Sequence, residues 1–420
     1  MTHHNCRFCQ QPLQHTFVNL GGSPISNDFL KLEQIDKAEK FYPLHTYVCD
    51  CCFLVQLPEV ESREHIFGDG DYAYFSSYSE SWLQHCERYT NLMVERFGFV
   101  GVASPSENRS SQVIEIASND GYLLQYFQKQ NIPVLGIEPA SNVAAVAEAK
   151  GIPTLTKFFG VQTAIELVAL DKQADLLLGN NVLAHVPDLN DFVAGMKLLL
   201  KPDGIITIEF PHLLQLIAQN QFDTIYHEHF SYFSFLTVEK VFAAHGLTLF
   251  DVEELPTHGG SLRIYGKHTE NTQQPVTERV TELKAKEIAA HLDKIDTYLD
   301  FTERVESIKR QLLAFLIQAK TEGKSIVGYG APAKGNTLLN YCGVRTDFID
   351  YTVDRSPHKQ GLFLPGTHIP ICHPDRIAET KPDYLLILPW NLRSEIIAQM
   401  ACIRGWGGKF VVPIPQLEVI

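Results

Sequence analysis

The stretch QVIEIASNDGYLLQYFQKQNIPVLGIEP, residues 112–139, limits the possible folds of this chain more than any other segment. Its pattern predicts an apolar strand ending near Ser118, a glycine turn at Gly121, an amphipathic helix and a second strand that closes on Glu138. Such a βαβ unit is half of a nucleotide-binding α/β fold. The chain is therefore expected to contain an open sheet with a ligand pocket at the carboxyl ends of its strands.

The turn in this unit indicates what kind of ligand the pocket takes. EIASNDG has one glycine, and it carries Asp120 where a pyrophosphate would sit, so it disfavours an anionic dinucleotide and suits a cation. Glu138 can accept hydrogen bonds from a ribose diol. S-adenosylmethionine (SAM), a sulfonium with an adenosine tail, meets both conditions, although a turn with no ligand is the simpler alternative. The candidate cofactor-binding residues here are Glu115, Ala117, Asn119, Gly121 and Glu138.

Alternating helices and strands continue after Glu138 and predict a mainly parallel sheet. The strand predicted at Ala174–Val182 runs into GNNVLAHVPD, which places Asn180, Asn181 and His185 at the carboxyl edge, beside the same pocket. Asn180 and Asn181 join the cofactor-binding candidates.

Two C-x-x-C pairs stand near the start of the chain: Cys6 with Cys9, and Cys49 with Cys52. Two such pairs can close a tetrahedral four-thiolate zinc site, which leaves no position for water and therefore serves folding and not catalysis. Cys51 is a competing thiol, and four unrelated cysteines are the alternative.

Composition excludes several classes of function. The 420 residues are 45% apolar and 20% charged, which is ordinary for a globular protein. A formal charge of −14 argues against binding to nucleic acid or to an anionic membrane. The sequence shows neither a long apolar run nor the layout of a signal peptide, so we expect a cytoplasmic protein whose nine cysteines are reduced or metal-bound.

The segment FDTIYHEHFSYFS concentrates protic side chains in Tyr226, His227, Glu228 and His229. H-E-H is not the H-E-x-x-H zinc motif, so general acid–base chemistry is the better interpretation. A strand would place His227 and His229 on one face, whereas a helix would make Tyr226 and His229 neighbours. The sequence does not decide between these, and a polar surface loop is the remaining alternative.

An aromatic loop, FGDGDYAYFSSYSES, precedes the nucleotide fold, and loops in this position often cross the mouth of the pocket. Its tyrosines are Tyr72, Tyr74 and Tyr78, and for any one of them packing between domains is the better interpretation. Farther on, THGGSLR carries Arg263, which could meet an anion.

The last part of the chain contains a second strand–turn–helix, KSIVGYGAPAKGNTLLNY. Its G-x-G-x-x-A turn, with Asp350 or Asp354 downstream, would by itself suggest NAD, and Lys334 would hold a phosphate or diphosphate. The strands that follow suffice for a small Rossmann-like domain, but not for the separate substrate domain that a dehydrogenase would need.

Taken together, EIASNDG, GIEP, NNVLAHVPD, YHEHFSYFS, HGGSLR and GYGAPAKGNT resemble the sugar C-methyltransferases that act on nucleotide-activated deoxysugars. The resemblance covers nearly the whole chain. It implies a structural zinc, SAM as cofactor, and a C-terminal Rossmann-like domain that completes the substrate site without NAD. It also implies methylation at C3 of a 4-keto sugar linked to a nucleoside diphosphate.

The same resemblance assigns catalytic roles. His229 is then the base that removes the C3 proton, and Glu228 orients it. Tyr226 and His185 bind the keto oxygen or shuttle its proton, and Tyr78 is a further candidate. His227 stays open as an alternative base.

The predicted fold class is α/β, in three parts: a zinc-binding domain at residues 1–68, a class I SAM methyltransferase domain at 69–270, and a helical linker with a C-terminal Rossmann-like domain at 271–420. The leading alternative function is an NAD-dependent sugar-nucleotide oxidoreductase, and a third is a zinc-ribbon binding module whose methyltransferase fold is vestigial. The sugar, its nucleotide, its C3 substituent and the oligomeric state stay open at this point.

Overall fold

The computed structural model describes residues 4–67, 75–101 and 110–420. The N-terminal part begins with three strands, which are followed by two helices. These elements are β1 His15–Ser23, β2 Tyr42–Val48, β3 Val55–Gln56, α1 Arg63–Phe67 and α2 Glu80–Phe97. The strands pair antiparallel in sequence order, so this part is a small meander.

The middle part alternates strands and helices as the hydrophobic pattern predicts. Its elements are β4 Val113–Ile116, α3 Leu124–Lys129, β5 Val134–Ile137, α4 Ser141–Ala149, β6 Thr154–Leu155, α5 Val161–Ala169, β7 Ala174–Asn180, α6 Leu189–Leu199, β8 Leu200–Pro211, α7 Leu213–Ala218, β9 Ser231–Tyr232, α8 Phe235–Ala244, β10 Leu247–Leu255 and β11 Ser261–His268.

Seven of these strands form one sheet in the order β10-β11-β8-β7-β4-β5-β6. The five strands from β8 to β6 are parallel, and β11 and β10 extend the sheet antiparallel. The chain order reverses between β4 and β7, and ligands of open α/β sheets bind at such a switch point. The predicted α/β class with a mainly parallel sheet is confirmed.

The C-terminal part begins with three helices and ends in a second α/β unit. Its elements are α9 Glu278–Ala289, α10 Ile295–Leu299, α11 Phe301–Thr321, β12 Ile326–Tyr329, α12 Ala333–Cys342, β13 Thr352–Val353, β14 Ile371–Cys372, α13 Arg376–Thr380, β15 Tyr384–Ile387, α14 Arg393–Gln399, β16 Lys409–Val412 and β17 Glu418–Val419. The strand order β14-β13-β12-β15-β16-β17 is Rossmann-like, with only β17 antiparallel.

Packing ties the three parts together. Strand β9, which follows the YHEH segment, pairs with β3 and so completes the N-terminal sheet. One apolar core runs from β1 and β2 through α11 to the C-terminal sheet, and it contains Phe17, Phe301 and Leu385, each fully buried. The loops at the ends of the middle sheet are therefore held from both sides.

Candidate active site

A cavity of about 380 Å³ lies at the carboxyl ends of β4, β5 and β7 and reaches the start of α12. This volume falls in the range of small-molecule sites. Ten of the residues predicted from the sequence line it: Ala117, Asn119, Glu138, Asn180, Asn181, His185, Tyr226, Glu228, His229 and Lys334. The switch point of the middle sheet and the glycine-rich turn after β12 thus face one shared cavity.

The turn after β4 has an unusual backbone. Ala117 and Asn119 have φ values of 56° and 49°, in the left-handed region that non-glycine residues seldom adopt. Because Ala117 leaves the extended conformation, β4 ends at Ile116, and the predicted strand end near Ser118 is wrong by two residues. Gly121 has a φ of 74°, and a Cβ there would collide with Ile152. Backbone strain of this kind is common at ligand sites.

Glu138 sits at the end of β5, where the sequence predicts it. Its two carboxyl oxygens accept hydrogen bonds from the backbone N–H groups of Asn119 and Ala140, each at 2.9 Å. Burial raises the pKa of Glu138 to about 7. The carboxyl group is thereby fixed at the cavity wall, and its remaining lone pairs are available to hydroxyl donors.

Glu115 and Gly121 are not among the residues that line the cavity. Glu115 is fully buried in β4, and burial holds its pKa well above the ordinary value. The structure therefore corrects the expectation that Glu115 edges the pocket, because its side chain lies inside the sheet core. Gly121 acts through the shape of the turn.

The residues at the end of β7 and just after it do face the cavity. The amide nitrogen of Asn180 is buried and, within the described residues, has no hydrogen-bond partner, which fits a site built for a polar ligand. Asn181, with a φ of 55°, contacts Nε2 of His258 at 3.2 Å. Burial lowers the pKa of His185 to about 4, so this imidazole is neutral near pH 7.

His229 is held in one orientation. Its Nδ1–H donates to the carbonyl oxygen of Thr224 at 2.8 Å, so Nε2 carries the lone pair, and among the described residues it has no hydrogen-bond partner. Burial and the neighbouring His185 lower the pKa of His229 well below its ordinary value. A neutral imidazole with its tautomer fixed in this way is suited to accept a proton.

The YHEH segment is a turn, neither a strand nor a helix. The backbone N–H of His229 donates to the carbonyl of Tyr226 at 2.9 Å, and the two rings lie 4.0 Å apart. The ring of His185 lies 4.8 Å from His229. Three of the predicted catalytic side chains are therefore in contact.

Glu228 does not orient His229, because the carbonyl of Thr224 does so. Glu228 instead accepts two hydrogen bonds from Asn27, a residue of the N-terminal part, at 2.7 and 3.0 Å. Burial raises the pKa of Glu228 to about 7. The alternative base, His227, points toward the carbonyl of Pro43 and does not line the cavity.

Tyr78 lies away from the cavity. Its side chain is 68% exposed, and its hydroxyl contacts Nε2 of His358 at 3.1 Å. Within the described part of this loop, Phe67 and Ser76 line the cavity, and the backbone N–H of Ser76 donates to Oδ1 of Asn119 at 2.8 Å. Tyr72 and Tyr74 lie outside the described residues.

Two lysines from the C-terminal part face the cavity. Lys334, at the start of α12, donates to Asn391 at 3.0 Å and lies 4.6 Å above the ring of Trp390. Lys359 donates to the carbonyl of Ala331 at 2.8 Å. Burial lowers the pKa of both amines. Two converging cations make this end of the cavity suitable for an anion.

Sequence reasoning missed some lining residues and misplaced another residue. Asn27, Lys359 and His258 line the cavity, and only His258 had a local signal, the adjacent Gly259-Gly260 pair. Arg263 does not reach an anion. It is 4% exposed and is paired with Glu209 and Glu253, so its charge is already neutralised.

The glycine-rich turn after β12 is largely satisfied from within. Asp354 accepts a hydrogen bond from the N–H of Ala331 at 2.8 Å, and Lys359 donates a hydrogen bond to the carbonyl of the same residue. The acidic residue that would bind a ribose in a dinucleotide site thus stabilises the turn itself. Asp350 is exposed and pairs with Lys320.

The four predicted cysteines form one cluster. The sulfur atoms of Cys6, Cys9, Cys49 and Cys52 all lie within 4.8 Å of one another. Tetrahedral zinc with bonds of about 2.3 Å separates its thiolates by just under 4 Å, so the cluster fits this ion. Cys51 is exposed and lies outside the cluster.

The seven-stranded sheet, its cavity at the switch point and the four-cysteine cluster define a class I methyltransferase that carries a zinc-binding domain. Three family models match consecutive parts of the chain: a zinc binding domain at residues 6–67, a methyltransferase domain at 88–252 and a C-methyltransferase C-terminal domain at 256–415.

The C-methyltransferase NovU of Streptomyces niveus is 35% identical over 415 residues, which covers 99% of this chain and 96% of the relative. The chain therefore belongs to the family of C-methyltransferases, with SAM as methyl donor and a zinc-binding domain at its N-terminus. In the described part of the chain no helix is long and apolar enough to cross a membrane.

Solved structures also resemble the chain in part. They include a protein of Pyrococcus horikoshii OT3, with a TM-score of 0.37, 14% identity, and coverage of 46% of this chain and 94% of that one. Another is the magnesium protoporphyrin IX methyltransferase of Synechocystis PCC 6803 with bound SAM. Its TM-score is 0.34 at 13% identity, and the match covers 48% of this chain and 88% of that one.

Proposed function

We propose that this C-methyltransferase acts at C3 of a 4-keto deoxysugar linked to a nucleoside diphosphate, through an enolate formed by an enzyme base. The observation that carries the proposal is His229, a neutral imidazole with free Nε2 in a cavity that has a SAM-type turn on one side and two lysines on the other.

The division of the chain at residues 68 and 270 stays a prediction, and the first boundary falls outside the described residues.

The chemistry explains why a base and an oxygen-binding group are needed together. A proton on the carbon beside a ketone becomes acidic enough for an imidazole once the developing oxyanion is hydrogen-bonded. His229 takes this proton at Nε2, and the Thr224 carbonyl stabilises the resulting imidazolium through Nδ1–H. SAM, when bound, supplies an electrophilic methyl group for the carbanion.

The neighbours of His229 suit the remaining roles. Tyr226, whose ring lies 4.0 Å from the imidazole, and His185, 4.8 Å away, are the groups we assign to the keto oxygen. Both line the cavity. Glu228 faces the same space and is available to a polar substituent of the sugar.

The diphosphate is assigned to the cationic end of the cavity. Lys334 stands at the N-terminus of α12, where the helix dipole also favours an anion, and Lys359 is the second cation. Glu138 and Asn180 are assigned to the cofactor, through its ribose hydroxyls and its polar groups. The alternative function, an NAD-dependent oxidoreductase, has no support in the family matches.

A panel of nucleotide-linked 4-keto sugars, differing in base and in C3 substituent, tests the proposal with SAM as donor. We expect a C-methylated product from at least one member and none from the corresponding 4-hydroxy sugars, which cannot enolise. Turnover of a 4-hydroxy sugar, or consumption of NAD, would overturn it.

A further inference from the structure

The carbonyl that fixes His229 belongs to a tight turn. Thr224 ends the one-turn helix Phe222–Thr224, and its carbonyl accepts the Nδ1–H of His229 at 2.8 Å. A shift of this turn would redirect the carbonyl. The imidazole could then rotate or exchange its tautomer, and Nε2 would no longer be available as acceptor.

Two side chains from the C-terminal part hold the turn on either side of Thr224. The hydroxyl of Thr337, on α12, donates to the carbonyl of Ile225 at 2.9 Å. The indole N–H of Trp390 donates to the carboxylate of Asp223 at 2.7 Å. Thr337 and Trp390 are 1% and 7% exposed, so water does not compete for these bonds.

Helix α12, which carries Thr337, faces the cavity at its N-terminal end. Ala333 and Lys334 line the cavity, and Thr337 lies one helical turn farther along α12, where the helix packs against the turn. The group assigned to the anionic end of the substrate and the group that holds the turn of the base therefore sit on one rigid element. A fixed distance between base and substrate is what such an arrangement provides.

We propose that Thr337 is a positioning residue for the base: by holding the Ile225 carbonyl it keeps the Thr224 carbonyl directed at Nδ1 of His229. Trp390 does the same from the Asp223 side. The role of His229 as base rests on the proposed function, whereas its tautomer in the resting protein does not.

The test compares Thr337→Val, which removes the hydroxyl at nearly constant volume, with Thr337→Ser, which retains it. Thr46→Val is the matched control, because Thr46 is also buried and donates to a carbonyl, that of Val18 at 3.0 Å, in the N-terminal sheet. Histidine labelled with ¹⁵N reports the tautomer of His229, with its resonance assigned by its loss in His229→Asn. Steady-state kinetics and a pH–rate profile are measured on the same proteins.

We expect Thr337→Val to lower kcat by about tenfold to a hundredfold, the scale for misplacing a reacting group, and to leave the KM for SAM unchanged. The Nδ1 resonance of His229 should lose its protonated character, and the acidic limb of the pH–rate profile should move. Thr337→Ser should restore all three, and Thr46→Val should change none of them.

A loss of melting temperature alone in Thr337→Val, with kcat, tautomer and pH profile as in wild type, would overturn the proposal. If Thr337→Val does not fold, Trp390→Phe makes the same test from the other side of the turn. A changed tautomer in a protein that methylates no 4-keto sugar would support the positioning role and reject the proposed substrate.

Discussion

The side-chain amide of Asn27 donates to both carboxyl oxygens of Glu228, at 2.7 and 3.0 Å, across 201 residues of sequence. This contact joins the N-terminal part, which carries the zinc cluster, to the turn that carries His229. Glu228 is 4% exposed, so its carboxyl group is buried and depends on this amide for its hydrogen bonds. The zinc-binding domain therefore contributes directly to the proposed active site.

Stability should depend on pH through Glu228. Burial raises its folded pKa from 4.5 to about 7, so the folded state holds this proton more tightly than the unfolded state. The contribution of this group to the free energy of unfolding should therefore fall by about 3 kcal/mol as pH rises from about 4.5 to about 7. Above pH 7 it should stay level. In thermal unfolding at pH 5 and pH 8, the melting temperature of Glu228→Gln should rise relative to that of the wild type as the pH rises. Parallel pH dependences would contradict the assignment.

Zinc should be tightly held and structural. Cys9→Ser should lower metal content and melting temperature together, because binding of a structural metal is coupled to folding. Cys51→Ser is the control, since Cys51 is exposed and outside the cluster, and it should change neither quantity. Metal analysis of protein purified without chelator is the measurement. Protein without zinc would reject the prediction.

Glu138 should serve SAM affinity. Glu138→Ala should weaken SAM binding by about 1 to 3 kcal/mol in calorimetry, the scale for losing a charged hydrogen-bond partner. Because its pKa is about 7, wild-type affinity should also fall below pH 7, where the carboxylate takes up a proton and loses acceptor capacity. Glu148→Ala, at an exposed position of α4, should bind SAM normally. Unchanged affinity in Glu138→Ala would count against this role.

His229→Asn should bind SAM and the sugar nucleotide nearly normally and lose turnover by about a hundredfold or more, the usual contribution of a positioned base. With S-adenosylhomocysteine in place of SAM, the wild type should carry deuterium from solvent into C3, and the variant should not. Variants at Tyr226 and His185 should exchange more slowly than wild type, through weaker binding of the oxyanion. Exchange at the wild-type rate in His229→Asn would show that the base lies elsewhere.

Lys334→Met should raise the KM for the sugar nucleotide by about tenfold to a hundredfold, as expected for the loss of a charged hydrogen bond to phosphate. The Kd for SAM should stay the same. Lys309→Met is the matched control, because Lys309 also lies over an aromatic ring, that of Tyr341 at 4.3 Å, and does not line the cavity. An equal effect of both substitutions would remove Lys334 from the substrate site.

Features that depend on the local backbone pattern were predictable from the residues alone. The turn between β4 and α3 and the position of Glu138 at the end of β5 follow from apolar periodicity and one glycine. The C-x-x-C knuckles follow from spacing. The residue after each pair, Gln10 and Phe53, has a left-handed φ of 62° and 63° respectively. Such features need only a few neighbouring residues, so they can be predicted from the chain.

Which distant groups meet depends on long-range packing, and it was not predictable from the residues alone. Asn27 and Lys359 reach the site through pairing of β9 with β3 and through packing of the C-terminal sheet, and no local pattern marks them. Arg263 and Tyr78 have suitable chemistry but lie elsewhere, because Arg263 is neutralised by Glu209 and Glu253 and Tyr78 is exposed beside His358. Long-range contacts depend on how whole sheets pack, and residue type alone does not carry that information.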